Sequence, residues 1–452
     1  HRCLFGYHGR RTKPGKDRTE HMKSAKSFSR GGIVVPYPVH HGSQSPIDNA
    51  FLPLNAYVAL AQGENGQDAR VVLTEGTEVR EGQLIARGSG RGSVSVHSPI
   101  PGIVRRITRM RMHGGQERGV AVVSLAGSFS ILGKRQERYL WKSLNKNDIL
   151  HIIQEKGVVS AAHGQSLYDL FTENREAPVD ALVVNMLEMD SYRRTEAEIC
   201  RIRCADVADG VAISAKIMQP ARVILAMDTD FSEALAQELL HILHEASLES
   251  EIMRFKRRYP QDMPALLMRA IGKRSVGTCM VLEPSALVTL HDAVVANKAH
   301  IEQYVYVGGR AVKHPAVLKA RIGTPIGDLI EECGGFVGPP AKIVVNGPYS
   351  GQAADLDVPV TRTTRAILAL HAEETNDAPR RACVRCGACR SACPENLDPH
   401  LIYKYIAAGR TDEAVAIGLN ACIECGSCAW ACWSRIPLTE CFSAAKKGDS
   451  HA

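Results

Sequence analysis

A duplicated cysteine motif constrains this chain more than any other feature. Cys383-x-x-Cys386-x-x-Cys389-x-x-x-Cys393-Pro394 is repeated as Cys422-x-x-Cys425-x-x-Cys428-x-x-x-Cys432-Trp433. Three thiolates at steps of three wrap one face of a cuboidal iron-sulfur cluster, while the fourth points away to serve a second one. The spacing therefore predicts two [4Fe-4S] clusters with crossed ligands. Cys383, Cys386, Cys389 and Cys432 belong to one, and Cys422, Cys425, Cys428 and Cys393 to the other. Zinc sites use two separated Cys-x-x-Cys knuckles instead of tandem triplets. Gly387 and Gly426 are expected to let the backbone approach the inorganic sulfides closely. Crossed ligation would hold the clusters near enough to pass electrons. Cys441 lies outside both copies and reads as a packed thiol. Trp433 in place of proline removes a fixed φ after a ligand without removing the ligand.

The other cysteines agree with this division. The chain has 14, of which only Cys3, Cys200, Cys204, Cys279 and Cys333 precede residue 380. In a reducing compartment such usage reads as metal ligation before disulfides. No run approaches the roughly 18 to 20 apolar residues that cross a bilayer, and the first 30 residues are basic and polar, without a secretory h-region. A cytoplasmic location is expected. The stretch starts at His1 and reaches its first methionine at Met22, so residues 1–21 read as a mis-assigned start. A net charge of +7 without interleaved aromatics gives no nucleic-acid site; it reads as solvated surface.

At 452 residues several domains are expected, at roughly 100 to 200 residues each. After the basic tail, 1–30, residues 31–130 show short β-runs broken by glycine and proline, an all-β barrel-sandwich unit. Its half-motifs are lipoyl-like, but Arg87 to Ser98 holds no lysine, so it reads as a scaffold. In residues 131–300 apolar strands alternate with helical patterns, among them Ala181–Asn185, a helix running to about Met218, and a strand from Ala221 to Met227. This is a Rossmann-like α/β domain whose ligands would sit after Val184, at the carboxyl ends of the strands. Residues 301–372 read as a small β-grasp (SLBB) unit with one helix, Ile326 to Cys333. A polar linker, Glu373 to Arg380, leads to an α-helical two-cluster ferredoxin domain at 378–445. There Asp398 to Ala408 and Thr411 to Leu419 have helical spacing, with Thr411 as an N-cap. The fold class is thus multidomain α/β. His40, His41 and His97 read as satisfied surface or core histidines.

From Gly31 onward the chain resembles RnfC, the peripheral cluster-bearing subunit of the Rnf ion-translocating electron transport complex. The likeness rests on His97-Ser-Pro-Ile-Pro-Gly, Asn185-x-x-Glu188-x-x-x-Tyr192, Arg258-Tyr-Pro-Gln, Gly308-Gly-Arg-Ala-Val-Lys-His-Pro, Asn346-Gly-Pro and the two cysteine motifs. The middle domains of that family resemble the flavin-bearing, NADH-oxidising subunit of complex I. The resemblance implies an electron-transfer subunit on the cytoplasmic face of a bacterial inner membrane. It implies ferredoxin-like and integral membrane partners, with membrane attachment through those partners only.

Where the family has a glycine-rich nucleotide loop, this chain reads Gly157-Val-Val-Ser-Ala-Ala-His-Gly164-Gln-Ser. Side chains at Ala162, His163 and Gln165 are expected to block the approach of phosphate and flavin. The next motif keeps only Asn185, Glu188 and Tyr192 as a remnant flavin/NADH site, and Asp262-Met263 replaces a glycine pair. Weak or lost binding of FMN and NADH is expected, with electrons entering from another protein. The competing readings are a non-redox assembly or adaptor subunit with structural clusters, and a soluble ferredoxin-linked oxidoreductase subunit. Nothing in the sequence marks a catalytic residue.

Overall fold

Between Asn55 and Leu125 alternate side chains point to opposite faces of the strands, and Glu117–Leu125 is packed on both, Ala121 and Val123 on one side and Val120 and Val122 with Ala59 and Met112 on the other. The computed structural model describes residues 25–35, 47–61, 66–127, 138–173, 179–193, 195–272, 278–375 and 378–448. The basic tail up to residue 24 with Met22, and the pair His40 and His41, lie outside the described residues. Asn55–Ala59, Glu117–Leu125, Gly102–Arg111 and Glu78–Val79 form one antiparallel sheet. Arg70–Val71, Leu84–Arg87 and Val96–His97 form a second, and Val58, Ile85, Ile100, Val104 and Val123 fill the space between them. The tip of the hairpin joining the half-motifs is docked: Arg91 pairs with Glu173, and the Gly92 amide donates to Asp169 at 3.1 Å. Both carboxylates belong to the helix Leu167–Glu173. His97 is a buried core histidine, its pKa lowered to about 3 by burial and by Arg362; its Nδ1 has no hydrogen-bond partner, so it is not fully satisfied as expected.

Apolar runs with both faces covered suit a parallel sheet. Ser250–Phe255, Arg222–Asp228, Val179–Asn185 and Thr278–Leu282 lie side by side in that order, all parallel. The single helix expected up to Met218 is two, Thr195–Ile202 and Cys204–Met218. The break is at Arg203, with φ −129° and ψ 35°, whose guanidinium is held by Asp292 at 2.6 Å and the Tyr304 hydroxyl at 3.1 Å. That anchorage, made by distant residues, outweighs continued helix. Helices Cys204–Met218 and Pro284–Val295 cover one face of the sheet. On the other, Ala181, Val183, Ile224 and Phe255 pack with Ile33, Leu267, Ala392 and Cys425. The cysteine domain thus takes part of the place of a helical layer.

Glu302–Gly308, Ala316–Arg321, Lys342–Val345, Gln352–Ala353 and Ala366–Leu370 build a mixed β-grasp sheet, to whose edge Asp48–Asn49 adds. The helix Ile326–Glu332 packs on it through Ile326, Leu329 and Ile330, and Cys333 is its C-cap. The last domain is helical: Ala388–Ala392, Pro399–Ala407, Thr411–Ala416, Ser427–Trp430 and Leu438–Lys447. Asp398 caps its helix by accepting from the Leu401 amide at 3.2 Å. Thr411 is not an N-cap; it is the first helical residue, and Arg410 holds the cap position. The Arg410 amide is already bonded back to Tyr405 in the tight turn at Gly409, so the next helix starts one residue earlier. Among the described residues no helix is long and apolar enough to cross a membrane.

Candidate functional site

The two cysteine loops share their local conformation. Arg385 and Glu424, ahead of the second cysteine of each copy, have φ of 52° and 53°, and Gly387 and Gly426, after it, have 76° and 78°. Each glycine opens a short helix, and the helices Ala388–Ala392 and Ser427–Trp430 pack together. This packing turns the last cysteine of each copy toward the other. Cys383, Cys386, Cys389 and Cys432 line a cavity of about 200 Å³ with Tyr403 and Ile436. Cys393, Cys422, Cys425 and Cys428 line a narrower one, about 20 Å³, closed by Ile423 and Phe442. The sequence-predicted quartets are therefore brought together crosswise.

Burial pushes the Cys428 thiol up, and the proximity of Cys425, Cys422 and Cys393 pushes it further. Burial raises Cys389 too, with Cys432 adding. Amides aim at sulfur: Arg385 N lies 3.4 Å from Cys383 Sγ, and Ile436 N 3.4 Å from Cys432 Sγ. Such donors stabilise thiolate charge. Among the described residues no three Cys, His, Asp or Glu side chains converge on a point that could hold one metal ion. Four thiols ringing each space suit a multinuclear sulfide cluster better than a tetrahedral ion, and the His400 imidazole at the outer cavity stands beside a cysteine quartet that is already complete.

The two quartets differ in exposure. Cys383 and Cys386 are exposed, whereas Cys425 and Cys428 are buried. The inner loop is tied to the rest of the chain: the Tyr259 hydroxyl donates to the Cys425 carbonyl at 2.6 Å, and Lys446 Nζ donates to the Cys422 carbonyl at 2.6 Å. A Cβ at Gly426 would stand 1.9 Å from the Tyr349 carbonyl oxygen, while one at Gly387 would meet nothing within 4 Å. Left-handed φ requires both, and interdomain contact requires Gly426 as well.

Asn185, Glu188 and Tyr192 do sit past the end of the central strand, and each is engaged within the protein. Asn185 Nδ2 donates to the Asp262 carbonyl at 2.9 Å, and its Oδ1 accepts from the Leu187 amide at 3.2 Å. Glu188 accepts from the Glu196 amide at 3.0 Å and faces Arg193 at 3.8 Å. The Tyr192 hydroxyl donates to Glu374 at 2.7 Å. Asp262, standing in for glycine, accepts from the Met189 amide at 3.3 Å.

The altered loop is the hairpin Val159–Ser160 with Gln165–Ser166. Amides at such a turn can cradle phosphate, but here Ala162 N donates to Glu283 at 3.1 Å, and Ser160 Oγ to the same carboxylate at 2.9 Å. The His163 ring lies 2.7 Å from the Val281 carbonyl, over the end of the sheet. Burial raises Glu188 to about 7 and Glu196 to about 8. An incoming phosphate would find the Ala162 amide already bonded to Glu283. The roles of Glu196, Glu283 and Arg193 were missed in the sequence; an acid directly after the apolar strand Thr278–Leu282 was the available signal for Glu283. Also unforeseen is a polar cavity of about 820 Å³ between the barrel, this loop and the β-grasp unit, lined by Arg91, His113, Arg118, His163, Asn346 and Thr361 among others.

Residues 27–127 match the RnfC barrel sandwich hybrid domain, 304–352 the SLBB domain and 377–433 a 4Fe-4S dicluster domain. A component of the ion-translocating oxidoreductase complex of Rhodobacter capsulatus is 29% identical over 437 residues, 93% of this chain and 83% of that protein. A component of the proton-translocating ferredoxin:NAD(+) oxidoreductase complex of Clostridium ljungdahlii is 27% identical over 389 residues, 83% and 84% of the two chains. Its counterpart in the Na(+)-translocating complex of Acetobacterium woodii is 24% identical over 395 residues, 83% and 86%. A chain of the NAD+-reducing [NiFe]-hydrogenase, solved in the air-oxidized state, shares the fold at a TM-score of 0.50 and 14% identity, over 70% of this chain and 68% of its own.

Proposed function

We infer, for a chain that belongs to the RnfC family by its barrel-sandwich, SLBB and dicluster domains and by its relatives, an electron-transfer subunit of a membrane-bound, ion-translocating oxidoreductase complex. The observation that carries this reading is the crossing of the quartets: Cys383, Cys386, Cys389 and Cys432 around one cavity, Cys422, Cys425, Cys428 and Cys393 around the other. These eight thiolates are the proposed ligands of two [4Fe-4S] clusters, which when bound supply one-electron carriers a short distance apart. The chain itself supplies ligands, amides that stabilise negative sulfur, and apolar cover from Ile423, Ile436 and Phe442 that limits water.

FMN and NADH bind weakly or not at all in this reading. The loop amides that would hold phosphate are engaged within the protein, Ala162 by Glu283 and His163 and Gly164 by Ser160, and Asp262 occupies the place of a glycine. Electrons then enter from another protein. The proposed partners are the other subunits of an Rnf-type machine, ferredoxin-like and integral-membrane. The chain would sit peripherally on the cytoplasmic face of the bacterial inner membrane and reach the bilayer through those partners; the lack of a membrane-crossing helix among the described residues agrees with this.

Anaerobically purified protein titrated with NADH and then with dithionite tests the reading. Dithionite should bleach the visible iron-sulfur absorbance reversibly, and micromolar NADH should leave it unchanged. Bleaching by micromolar NADH would overturn the flavin-free part. Absence of any reversible couple would favour structural clusters.

A further inference from the structure

The outer quartet lies in a strongly basic stretch. From Ala378 to Cys393 there are four arginines, Arg380, Arg381, Arg385 and Arg390, and no acidic residue. Residues 378–387 are exposed without interruption. Within this surface stand two large apolar side chains, Val384 at 69% and Trp433 at 70% exposure. Val384 lines the outer cavity, and Trp433 is held beside the basic stretch because its neighbour Ser434 accepts from the Arg381 amide at 2.9 Å and donates to the Ala382 carbonyl at 2.8 Å. The inner quartet is covered on one side by Tyr259, Tyr349 and the middle-domain sheet, and the partly exposed Trp430 beside it packs edge-on against Tyr349 and has no run of arginines around it in sequence.

Apolar side chains at the centre of a charged rim are the composition of a protein contact surface. Charge of one sign steers a partner of the other and fixes its orientation. We propose that Val384 and Trp433, rimmed by Arg380, Arg381 and Arg385, are the docking face for an acidic electron-carrier protein whose own cofactor lies near its surface. This rests on the electron-transfer reading above and gives it a direction: the outer quartet is the port, and the inner quartet is the end lodged against the middle domain. One electron leaves the carrier and one is gained by this chain; no bond is made or broken.

The test measures binding before any turnover. Oxidised, cluster-containing protein is titrated with an oxidised acidic plant-type [2Fe-2S] ferredoxin, and with a basic c-type cytochrome as control, at low and high salt. The ferredoxin should bind and the cytochrome should not, and affinity should fall as salt rises. The double variant Arg380→Glu with Arg381→Glu should weaken ferredoxin binding about ten-fold or more at low salt. Trp433→Ala should weaken it about five-fold at every salt concentration. Both variants should keep wild-type iron content and reduction by dithionite. Equal affinity for the two carriers, or a charge-reversed variant that retains its iron and binds ferredoxin like wild type, overturns the docking face alone. A wild-type preparation without iron overturns the functional reading beneath it.

Discussion

The Tyr259 hydroxyl donates a hydrogen bond of 2.6 Å to the carbonyl oxygen of Cys425, joining the middle domain to the inner cysteine loop. The Tyr259 ring also packs 4.7 Å from that of Tyr349, on which the same loop rests. Three domains therefore meet at one cysteine. Tyr259→Phe leaves a buried carbonyl without its donor and should cost about 1 to 2 kcal/mol of stability, read as a lower thermal midpoint. It should also shift the reduction potential of the inner cluster while leaving the outer one in place.

The two glycines of the duplicated loops give a paired experiment. Gly387→Ala faces open space and bears only the left-handed φ, so it should cost about 1 to 2 kcal/mol. Gly426→Ala adds a clash with backbone that cannot swing aside, and should cost about 1 to 3 kcal/mol more. Iron content and thermal melts of the variants side by side check the order; equal effects would contradict the close contact with Tyr349.

The buried carboxylates give the protein a pH dependence of predictable sign. Glu188 and Glu196 have folded pKa values raised to about 7 and about 8, first by burial, above an unfolded value near 4.3. Between those limits the folded state binds more protons than the unfolded one, so stability is fully present below about pH 4.3 and falls as pH rises toward 8. Over the whole window the effect is on the order of 4 kcal/mol per group. Denaturant melts at about pH 5.5 and 8 should show it, and Glu188→Gln with Glu196→Gln should narrow the gap.

Crossed ligation separates the effects of the two terminal cysteines. Cys432→Ser should damage the cluster of the first motif, although Cys432 belongs to the second; Cys393→Ser should damage the other. Electron paramagnetic resonance of the reduced variants distinguishes the two signals by their exposure, since only the outer one should broaden readily with a soluble paramagnetic relaxant. Damage confined to each residue's own motif would refute the crossing.

Local pattern made the cysteine centre legible, because each copy writes its ligands within a dozen residues and the glycines mark the turn. The parallel sheet was legible for the same reason: residues 181–184 and 223–227 are continuous apolar runs. What the sequence hid depends on residues far apart in the chain. Arg203 breaks a helix because Asp292 and Tyr304 hold it, and Gly426 is needed because Tyr349 lies against it. The loss of glycines from the nucleotide loop could be seen, but not that Glu283, more than a hundred residues later, would bond the amide of Ala162. The shift of the N-cap from Thr411 to Arg410 follows from the turn at Gly409, a one-residue matter that propensity does not resolve.

Iron analysis of anaerobically prepared protein tests the central claim most directly. About eight iron atoms per chain, with matching acid-labile sulfide and no zinc, is the predicted result for two [4Fe-4S] clusters. Zinc in place of iron, or about four iron atoms with the second set of thiols free to alkylate, would contradict it.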